Sequence, residues 1–357
     1  MTRHHAIAVI PGDGIGREVI PAGLAVLDAA ATRFGFVLDK SEFPWGCEHY
    51  LRHGKMLDDE GLKQLEIFTA IYFGAVGSPS VPDHVSIWEL ILPIRQRFDQ
   101  YVNLRPMRLM PGVTCPLAGR AVGDVDMICV RENSEGEYSG IGAIAHKGTP
   151  EAVAKETSVF THKGIERIAR YAFEIAAKRP RRLLASATKS NALRYSMVLW
   201  DEIVADVAKD YPQVALSRYH VDALAARMVT KPESLDVIVA SNLFGDILTD
   251  LGAAISGSLG LAPGANINPE RRHPSMFEPI HGSAPDIAGR GIANPIGAIW
   301  AGAMMLEHLG EAEAGHAVVA AIESVLAGGR VRTPDIGGRA TTAELANAIR
   351  AELSAAG

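Results

Sequence analysis

The chain has 357 residues, of which 48% are hydrophobic, so it can bury a large core and form two domains or one extended α/β body. Its formal net charge is −6, and it shows no long basic run and no interleaving of basic and aromatic residues, which argues against a nucleic-acid partner. The three cysteines, Cys47, Cys115 and Cys129, follow no C-x-x-C spacing, which indicates thiols in a reducing compartment.

The N-terminal sequence and the apolar segments favour a cytoplasmic location. The apolar run Ala6–Ile10 is too short for a signal-peptide core, and Pro11 and Gly12 follow it at once. No apolar stretch is long enough to span a bilayer. We therefore expect a soluble, cytoplasmic protein.

Short apolar runs alternate with longer amphipathic segments, as in a mainly parallel sheet covered by helices. The predicted strands are Ile7–Ile10, Ala70–Phe73, Met127–Val130, Leu183–Ala187 and Val237–Ala240. The predicted helices are Gly16–Arg33, Lys163–Lys178, Leu193–Lys209, Asn294–Leu309, Gly315–Ala327 and Thr341–Leu353. Between them, the Gly-rich and polar segment Tyr138–Phe160 predicts a surface hairpin or an arm that reaches a neighbouring subunit.

The glycines of Pro11–Gly16 follow the first predicted strand and precede the first predicted helix. Their spacing is G-x-G-x-G, whereas a Rossmann dinucleotide site has G-x-G-x-x-G and an acidic residue at the end of the second strand. That strand, near Val37–Glu42, could supply the acidic residue, but the glycine spacing argues against the assignment. We predict a tight turn whose glycines adopt positive φ, with no phosphate contact needed.

Two carboxylates, Asp246 and Asp250, stand four residues apart in an apolar run. This spacing puts both on one face of a helix, and Asp222 offers a third carboxylate. Three carboxylates with room for substrate and water suit Mg²⁺ or Mn²⁺. The alternative is a solvated stripe on the helix, but carboxylates among apolar neighbours need a cation or a cationic partner.

Three arginines, Arg95, Arg105 and Arg131, are candidates for binding an anionic substrate, because guanidinium groups bind carboxylates in a bidentate way. Taken alone, each arginine is better explained as a surface residue or as part of an ion pair than as a ligand. Arg131 stands out because it follows the apolar strand Met127–Val130, and α/β active sites open at the carboxyl ends of strands.

Lys189 follows the strand Leu183–Ala187 in the same way. Beside a divalent cation its charged form would be disfavoured, so it could accept a proton near neutral pH. The alternative, which this residue alone favours, is a structural lysine paired with an aspartate. Tyr138 could give a proton as a phenol, or it could merely pack beside its loop.

The stretch Glu278–Asp286 combines small residues with His281 and Asp286, and Asn294 follows soon after. Such a stretch can surround a planar heterocycle and a ribose. A carboxylate such as Asp286 accepts hydrogen bonds from ribose hydroxyls and repels a 2′-phosphate, which favours NAD over NADP. Without the other motifs, a Gly/Pro turn is the preferred explanation of this stretch.

Taken together, these motifs resemble those of the metal-dependent β-decarboxylating dehydrogenases, the family of isopropylmalate, isocitrate and D-malate/tartrate dehydrogenases. The matching stretches run in family order along nearly the whole chain: Ile10–Glu18, Gly74–Pro79, Arg95–Pro106, Arg131–Tyr138, Thr188–Asn191, Asn242–Asp250, Gly257–Asn266, Glu278–Asp286 and Ala293–Pro295. The D-malate/tartrate branch is the most similar, through Val81–Trp88, Phe98–Pro106, Ser186–Asn191, Val239–Asp246 and Pro263–Glu270.

The resemblance implies a role for each of these charged residues. The residues that would bind the substrate carboxylates are Arg95, Arg105 and Arg131. The ligands of Mn²⁺ or Mg²⁺ would be Asp222, Asp246 and Asp250, with Asp222 also counted as catalytic. Lys189 and Asp222 would reach in from the neighbouring subunit of an obligate homodimer. Lys189, directly or through water, would remove the hydroxyl proton, and Tyr138 would protonate the enolate carbon.

The resemblance also implies NAD as the cofactor and adds a monovalent cation such as K⁺ as a further candidate. The residues that would bind the cofactor are Gly74, Ala75, Val76, Gly77, Ser78, Asn191, His281, Gly282, Ser283, Ala284, Asp286 and Asn294. The loop Gly74–Ser78 would lie nearer the nicotinamide, and the later group would hold the adenosine.

The fold implied is the two-domain isocitrate/isopropylmalate dehydrogenase type, an α/β fold with a mixed, mainly parallel sheet and helices on both faces, and not a Rossmann fold. Residues 1–100 and 257–357 would form a discontinuous cofactor-binding domain. Residues 101–256 would form an inserted domain that carries the metal ligands, the dimer interface and the arm. The active cleft would lie where the two domains meet.

The expected reaction is the oxidation and decarboxylation of a 2-hydroxy diacid, namely D-malate to pyruvate and CO₂, tartrate, or both. Trp88 stands where isopropylmalate enzymes have a glutamate, and its ring should leave less room for an isopropyl group. The alternatives are 3-isopropylmalate oxidation and a non-catalytic regulatory subunit of the same fold. A metal-dependent lyase or phosphatase could use three aspartates but would have no use for the adenosine loop.

Overall fold

The computed structural model describes residues 2–355, which contain twelve strands and twelve α-helices, numbered here in chain order. The strands are β1 Arg3–Gly12, β2 Phe36–Glu42, β3 Ala70–Ala75, β4 Val102–Arg108, β5 Asp126–Glu132, β6 Gly136–Ala145, β7 Val153–Val159, β8 Leu183–Thr188, β9 Ala215–His220, β10 Val237–Ala240, β11 Pro263–Ile267 and β12 Ser275–Pro279. The helices are α1 Gly16–Phe34, α2 Cys47–His53, α3 Gly61–Leu65, α4 Asp83–Ser86, α5 Leu92–Arg97, α6 His162–Lys178, α7 Ser196–Ala208, α8 Val221–Thr230, α9 Asn242–Ile255, α10 Ile296–His308, α11 Ala312–Gly328 and α12 Thr342–Ala355.

The predicted elements are present, with shifted ends. All five predicted strands are found, as β1, β3, β5, β8 and β10, and all six predicted helices are found, as α1, α6, α7, α10, α11 and α12. The predicted start of α7 at Leu193 was early, because the N–H groups of Ala192 and Leu193 donate to the Lys189 carbonyl in a turn, at 2.9 and 2.8 Å. Within residues 2–355, no helix combines the length and apolar character needed to cross a membrane.

The chain forms two compact units. The first unit contains residues 1–100, 105–125 and 253–357, and the second contains residues 101–104 and 126–252. These bounds differ from the predicted domains, which placed 105–125 and 253–256 in the inserted part. The reason is local contact: the Leu109 N–H donates to the Val125 carbonyl at 3.0 Å, and the Cys115 thiol donates to the Ile255 carbonyl at 3.2 Å.

In the first unit, β1 lies between β2 and β3 and pairs with both in parallel. β12 continues this sheet in parallel beside β3, and β11 pairs with β12 in the antiparallel sense. Helix α1 ends because Gly35 adopts left-handed backbone and donates its N–H to the Ala31 carbonyl. Helix α10 packs against α1, α11 and β12 and is buried along most of its length, which explains its nearly continuous apolar sequence.

In the second unit, four parallel strands lie in the order β5, β10, β8, β9. Helix α6 covers them with an apolar face that recurs every three to four residues, at Ile165, Ile168, Ala172 and Phe173. Thr161 caps this helix, because its hydroxyl accepts the Gly164 N–H at 2.9 Å. Because β11 and β12 pair in the antiparallel sense and the other pairs described are parallel, the sheet is mixed and mainly parallel, with helices packed on it, as predicted.

The segment after β5 forms a separate antiparallel hairpin of β6 and β7. Its apolar side chains Ile141, Ile144 and Val153 are 54%, 56% and 59% exposed. The surface hairpin is thus confirmed. Its service as an arm toward a second copy stays a prediction.

The glycine turn between β1 and α1 has the predicted backbone. Gly12 and Gly14 have φ of +71° and +51°. A β-carbon on Gly12 would overlap the Ala75 carbonyl, and one on Gly14 would overlap the Ser283 carbonyl. Glycine is required here both for the left-handed backbone and for the close approach of two other loops.

Candidate active site

The second unit brings three predicted residues together at the carboxyl ends of β5 and β10. These strands pair so that Arg131 lies opposite Ala240, and α9 begins two residues after Ala240. The Arg131 side chain is therefore next to the first turn of α9. It is 3% exposed, and it donates to the Asn242 side-chain oxygen at 3.1 Å from Nε and 2.7 Å from the terminal nitrogen.

Asp246 is held from two sides. Its Oδ1 forms an ion pair with Arg131, and its Oδ2 accepts the Tyr138 hydroxyl at 3.1 Å. The Arg131 guanidinium also lies 5.7 Å from the centre of the Tyr138 ring. Arg131, predicted to bind the substrate, and Tyr138, predicted to be catalytic, thus both contact Asp246, a predicted metal ligand.

Gly245 explains how the guanidinium reaches this position. A β-carbon at this residue would lie 2.5 Å from Cγ and 2.6 Å from Cβ of Arg131. The Arg131 side chain passes through the space that a larger residue on α9 would fill. Gly245 is therefore part of the site, although it carries no functional group.

Asp246 and Asp250 are one turn apart on α9, as their spacing predicted. Asp250 is exposed and the Asp246 side chain is 38% exposed, so both carboxylates are accessible to a ligand. Their oxygen atoms are the donor type that Mg²⁺ and Mn²⁺ prefer. Within residues 2–355 of one chain, no three acidic, histidine or cysteine side chains are grouped to hold a metal. Asp246 and Asp250 can supply two ligands of a metal site. Asp222 of the same chain is not grouped with them as a third ligand.

Lys189 and Asp222 form a second group, at the ends of β8 and β9. The two strands pair with Thr188 opposite His220, so the next residues of both strands lie side by side. Lys189 Nζ donates to Asp222 Oδ1 at 2.7 Å. This hydrogen bond lowers the pKa of Asp222 below its ordinary value. Lys189 is therefore paired with an aspartate, as the alternative for this residue predicted, and the Asp222 side chain is 67% exposed.

The first unit holds the other two arginines, both buried. Arg95, near the end of α5, donates to Glu278 at 2.8 Å, and Asn266 donates to the same oxygen at 2.7 Å. The Arg95 Nε is buried and has no hydrogen-bond partner within the described chain. Arg105 lies in β4 and is 7% exposed. A guanidinium so buried has lost its water and favours an anionic ligand.

Two loops that were predicted to bind a cofactor are joined to the turn after β1, at the carboxyl end of the first unit's strands. The Asp13 N–H donates to the Ala75 carbonyl at 2.7 Å, and the Ile15 N–H donates to the Ser283 carbonyl at 2.9 Å. The Asp13 carboxylate accepts the N–H of Gly77 at 3.0 Å. The loops Gly74–Ser78 and His281–Ala284 are therefore fixed around the turn after β1.

His281 offers an unused hydrogen-bonding atom in this region. Its Nδ1 lies 3.0 Å from the Gly282 carbonyl, so Nδ1 carries the proton in this pair. Its Nε2 is buried and has no partner among residues 2–355, which leaves an acceptor for a donor on a bound molecule. Burial lowers the pKa of His281, so the ring is neutral near pH 7. A heterocycle with an amino group fits this atom.

Asn294 is engaged inside the protein. Its side-chain nitrogen donates to Asp335 at 3.0 Å, and its oxygen accepts the Ile296 N–H at 3.0 Å near the start of α10. Asp335 also accepts the hydroxyls of Ser258 and Thr333. Asn294 thus anchors the loop before α10, and contact with a cofactor stays a prediction.

The remaining predicted cofactor residues differ in exposure. Gly74 and Ala75 end β3 and are buried, whereas Val76, Gly77 and Ser78 are half-buried. Ser283 is buried, and Ala284 has a φ of +41°, which is uncommon for a residue with a β-carbon. Gly282, Asp286 and Asn191 are exposed, the last of them in the second unit.

Sequence reasoning gave no individual role to Asp13, Asn242, Gly245 or Glu278. Each of them positions another residue. Asp13 accepts the Gly77 N–H, and Glu278 accepts a hydrogen bond from Arg95. Asn242 accepts a hydrogen bond from Arg131, and Gly245 leaves the space that the Arg131 side chain occupies. The sequence carried one weak signal, because Glu278 is an acidic residue in an apolar strand and so needs a cationic partner.

Comparison with known proteins gives a consistent result along the chain. Residues 6–349 match the family described as isocitrate/isopropylmalate dehydrogenase. The D-malate dehydrogenase [decarboxylating] of Escherichia coli (strain K12) is 56% identical over 356 residues, covering 98% of both chains. The tartrate dehydrogenase/decarboxylase of Pseudomonas putida is 52% identical over 356 residues, covering 98% of this chain and 97% of that protein.

The fold has a close counterpart among solved structures. The isocitrate dehydrogenase from Methylococcus capsulatus superposes with a TM-score of 0.89 at 37% sequence identity. The similarity covers 98% of this chain and 99% of that one.

Proposed function

The chain belongs to the isocitrate/isopropylmalate dehydrogenase family, and on that premise we propose that it is an NAD-dependent, Mn²⁺- or Mg²⁺-dependent decarboxylating dehydrogenase of a 2-hydroxy diacid. D-malate, tartrate or both are the proposed substrates, in line with the names of the relatives. The observation that carries the proposal is the contact of Arg131 and Tyr138 with Asp246, which joins an anion-binding group, a proton donor and a metal-type ligand.

The substrate carboxylates are bound by Arg95, Arg105 and Arg131. All three arginines are buried, with residue exposures of 8%, 7% and 3%. Burial removes competing water and strengthens a charge-assisted hydrogen bond to a carboxylate. The ion pairs of Arg95 with Glu278 and of Arg131 with Asp246 keep these side chains in place before the substrate binds.

The metal would be held by Asp246 and Asp250 of one copy and Asp222 of a second copy. NAD would be held by the loops Gly74–Ser78 and His281–Ala284, with Asn191, Asp286 and Asn294. When bound, NAD supplies a hydride acceptor and the divalent ion supplies Lewis acidity. A monovalent cation such as K⁺ belongs to the same proposal.

The proton transfers fall to Lys189 and Tyr138. Lys189 removes the proton of the C2 hydroxyl, directly or through water, while the C2 hydrogen leaves with its electron pair. The β-carboxylate then departs as CO₂, and the electron pair of the broken C–C bond remains on the enolate. Tyr138 delivers a proton to the enolate carbon, and its hydroxyl already donates to Asp246.

Trp88 supports the choice of a small diacid. It lies in the π-helical turn Ile87–Ile91 between α4 and α5, and it is 37% exposed. A large ring at this position leaves less room for a substituent on C3. The alternative substrate is 3-isopropylmalate, which the ring disfavours.

A non-catalytic regulatory subunit of the same fold is the second candidate. It would be expected to lack at least one reacting group. Lys189, Tyr138 and the three aspartates are all present, and Tyr138 and Asp246 are in contact. Catalysis is therefore the favoured reading.

The test is formation of NADH, followed by absorbance, with D-malate, tartrate or 3-isopropylmalate. Each assay is run with Mn²⁺, with Mg²⁺, and after treatment with a chelator. We expect NADH and CO₂ from D-malate or tartrate only when a divalent ion is present. A preference for 3-isopropylmalate would overturn the substrate assignment, and full activity after chelation would overturn the metal assignment.

A further inference from the structure

A cavity of about 300 Å³ lies in the first unit, at the amino-terminal edge of its parallel strands. His5 near the start of β1, Thr69 just before β3 and Pro274 just before β12 line it. The loops around Asp13 and His281 leave the opposite, carboxyl-terminal edge of the same strands. The cavity is therefore separate from the proposed cofactor region.

Two exposed arginines, Arg271 and Arg272, line this cavity without a carboxylate partner. Neither Arg271 nor Arg272 forms an ion pair with any residue in 2–355. The acidic side chain in the lining, Glu66, is already paired with Arg97, at 3.1 Å from its Nε. The cavity therefore carries positive charge that the described chain does not neutralise.

A second acidic group near the lining is also engaged. Glu311 accepts from Arg3 at 2.7 Å and from His5 at 2.9 Å. Both contacts turn its carboxylate toward residues at the start of β1. It is thus not placed to neutralise Arg271 or Arg272.

The turn that presents these arginines is fixed by hydrogen bonds. Arg271 has a φ of +54°, in the left-handed region that favours glycine. Asn268 fixes the turn: its carbonyl accepts the Arg271 N–H at 3.0 Å, and its side chain accepts the Arg272 N–H at 2.9 Å. The two hydrogen bonds to Asn268 hold the backbone of Arg271 and Arg272 in one conformation.

The remaining walls combine apolar surface with a neutral ring. Phe68, Pro274 and Leu309 supply apolar contacts for a short carbon skeleton. His308 packs against Phe277 with ring centres 5.5 Å apart. Burial, and then the charge of Arg271, lower the pKa of His308 to about 4, so it adds a neutral hydrogen-bonding group at pH 7.

We propose that this cavity binds a small phosphorylated molecule, with the phosphoryl dianion on Arg271 and Arg272 and the carbon skeleton against Phe68 and Leu309. A compact group with two charges and three acceptor oxygens can bind the guanidinium groups of two consecutive arginines at once. A volume of about 300 Å³ exceeds what a free phosphate fills and leaves room for a short ester. The proposal does not depend on the dehydrogenase activity.

The test is isothermal titration of the full chain with glycerol 3-phosphate, inorganic phosphate and succinate. The variant is Arg271→Gln with Arg272→Gln. The matched control is Arg330→Gln with Arg350→Gln, which removes the same charge from two exposed positions of the first unit outside the cavity. We expect saturable binding of glycerol 3-phosphate that weakens at least tenfold in the first double variant and is unchanged in the control.

The comparison of ligands decides the chemical class. Inorganic phosphate binding as tightly as the ester, with the same loss in the variant, would support the phosphoryl site and identify free phosphate as its occupant. Succinate binding more tightly than either, with the same loss, would overturn the phosphoryl assignment. Binding that survives Arg271→Gln with Arg272→Gln, or the absence of saturable binding, would overturn the proposal itself.

Discussion

At the scale of single residues, Asp246 connects more of the proposed chemistry than any other residue of α9. It faces Arg131 and Tyr138 at once, and it keeps accessible carboxylate surface. A carboxylate in that position balances a buried guanidinium and can also ligate a cation. Its charge, more than its shape, is therefore what the proposed site needs.

Replacing Asp246 tests this point. Asp246→Asn keeps the side-chain volume but removes the charge, so we expect the affinity for Mn²⁺ to fall at least about tenfold, together with turnover. Mn²⁺ titration of the NADH-forming rate measures both. Asp206→Asn, the same change at an exposed residue paired with Lys209, is the control and should leave the Mn²⁺ dependence unaltered. An unchanged Mn²⁺ dependence in Asp246→Asn would remove this residue from the ligand set.

Replacing Lys189 should change both the rate of hydride transfer and the pKa of Asp222. Lys189→Met should slow hydride transfer by roughly two to four orders of magnitude, as expected for loss of a general base, while NAD binding persists. The hydrogen bond from Lys189 lowers the pKa of Asp222, so the same variant should raise that pKa toward its ordinary value. The ionised form of Asp222, favoured in the folded chain, would then be lost at a higher pH as the solution is acidified.

Transient kinetics and carboxyl NMR titration measure the two effects. The pair of Lys209 with Asp206 is a matched control, because the hydrogen bond from Lys209 lowers the pKa of Asp206 in the same way. Lys209→Met should raise the pKa of Asp206 without affecting hydride transfer. Near-normal turnover in Lys189→Met would contradict the assigned role.

Trp88 is the residue to change for substrate choice. Trp88→Leu shortens an exposed ring in the turn Ile87–Ile91, so we expect kcat/KM for 3-isopropylmalate to rise relative to that for D-malate, by about tenfold if a few buried methylene groups are gained. Leu51→Ala, a change at an exposed apolar residue of α2, should leave this ratio as it was. A ratio that does not move in Trp88→Leu would show that the ring does not restrict the substrate.

At the scale of elements, parallel strands explain why distant residues meet. Arg131 and Asn242 are far apart in the sequence, yet β5 and β10 pair in parallel and end at the same edge. The same rule joins Lys189 to Asp222 through β8 and β9.

Two glycines give a prediction about stability: Gly14 in the turn between β1 and α1, and Gly35 at the end of α1 as the reference. Gly35→Ala introduces a β-carbon at positive φ with no atom within 4 Å, so it should cost about 1 kcal/mol of unfolding free energy. Gly14→Ala adds an overlap with the Ser283 carbonyl, so it should cost about 1–3 kcal/mol more and also weaken NAD binding. Urea unfolding and NAD titration measure the two quantities. Equal destabilisation by the two variants would show that the approach of the two loops is not tight.

At the scale of the whole molecule, the proposal requires two copies. Asp222 and Lys189 bind each other within a chain, and the described residues of that chain do not group Asp222 with Asp246 and Asp250 as metal ligands. The exposed hairpin of β6 and β7 is a poor structure in isolation, because two strands alone bury little apolar surface. A second copy would complete both features.

Mixing two inactive variants tests shared sites directly. If each site combines Asp246 of one copy with Lys189 of the other, a dimer of Asp246→Asn with Lys189→Met has one intact site and one doubly altered site. After refolding an equal mixture, we expect about one quarter of the wild-type activity, because half of the dimers are mixed. Analytical ultracentrifugation measures how much of the refolded protein is dimeric. Activity that stays at the level of the separate variants would show that each chain supplies its own lysine.

The sequence by itself determined the element types, the glycine turn and the residue classes of the site. Periodicity and spacing are local properties, so β1, α6 and the helical spacing of Asp246 and Asp250 follow from residues close together in the chain. The resemblance of its motifs to a known family, ordered along the whole chain, predicted the fold that the structure shows.

Only the tertiary structure decided which side chains meet. The pairing of Arg131 with Asp246 depends on the register of β5 and β10, and that of Arg95 with Glu278 joins residues from α5 and β12. The same kind of contact decides to which unit residues 105–125 belong. It also brings Arg271 and Arg272 to one cavity with residues from other parts of the chain. Packing between segments distant in sequence is set by the whole core, and a local pattern carries no record of it.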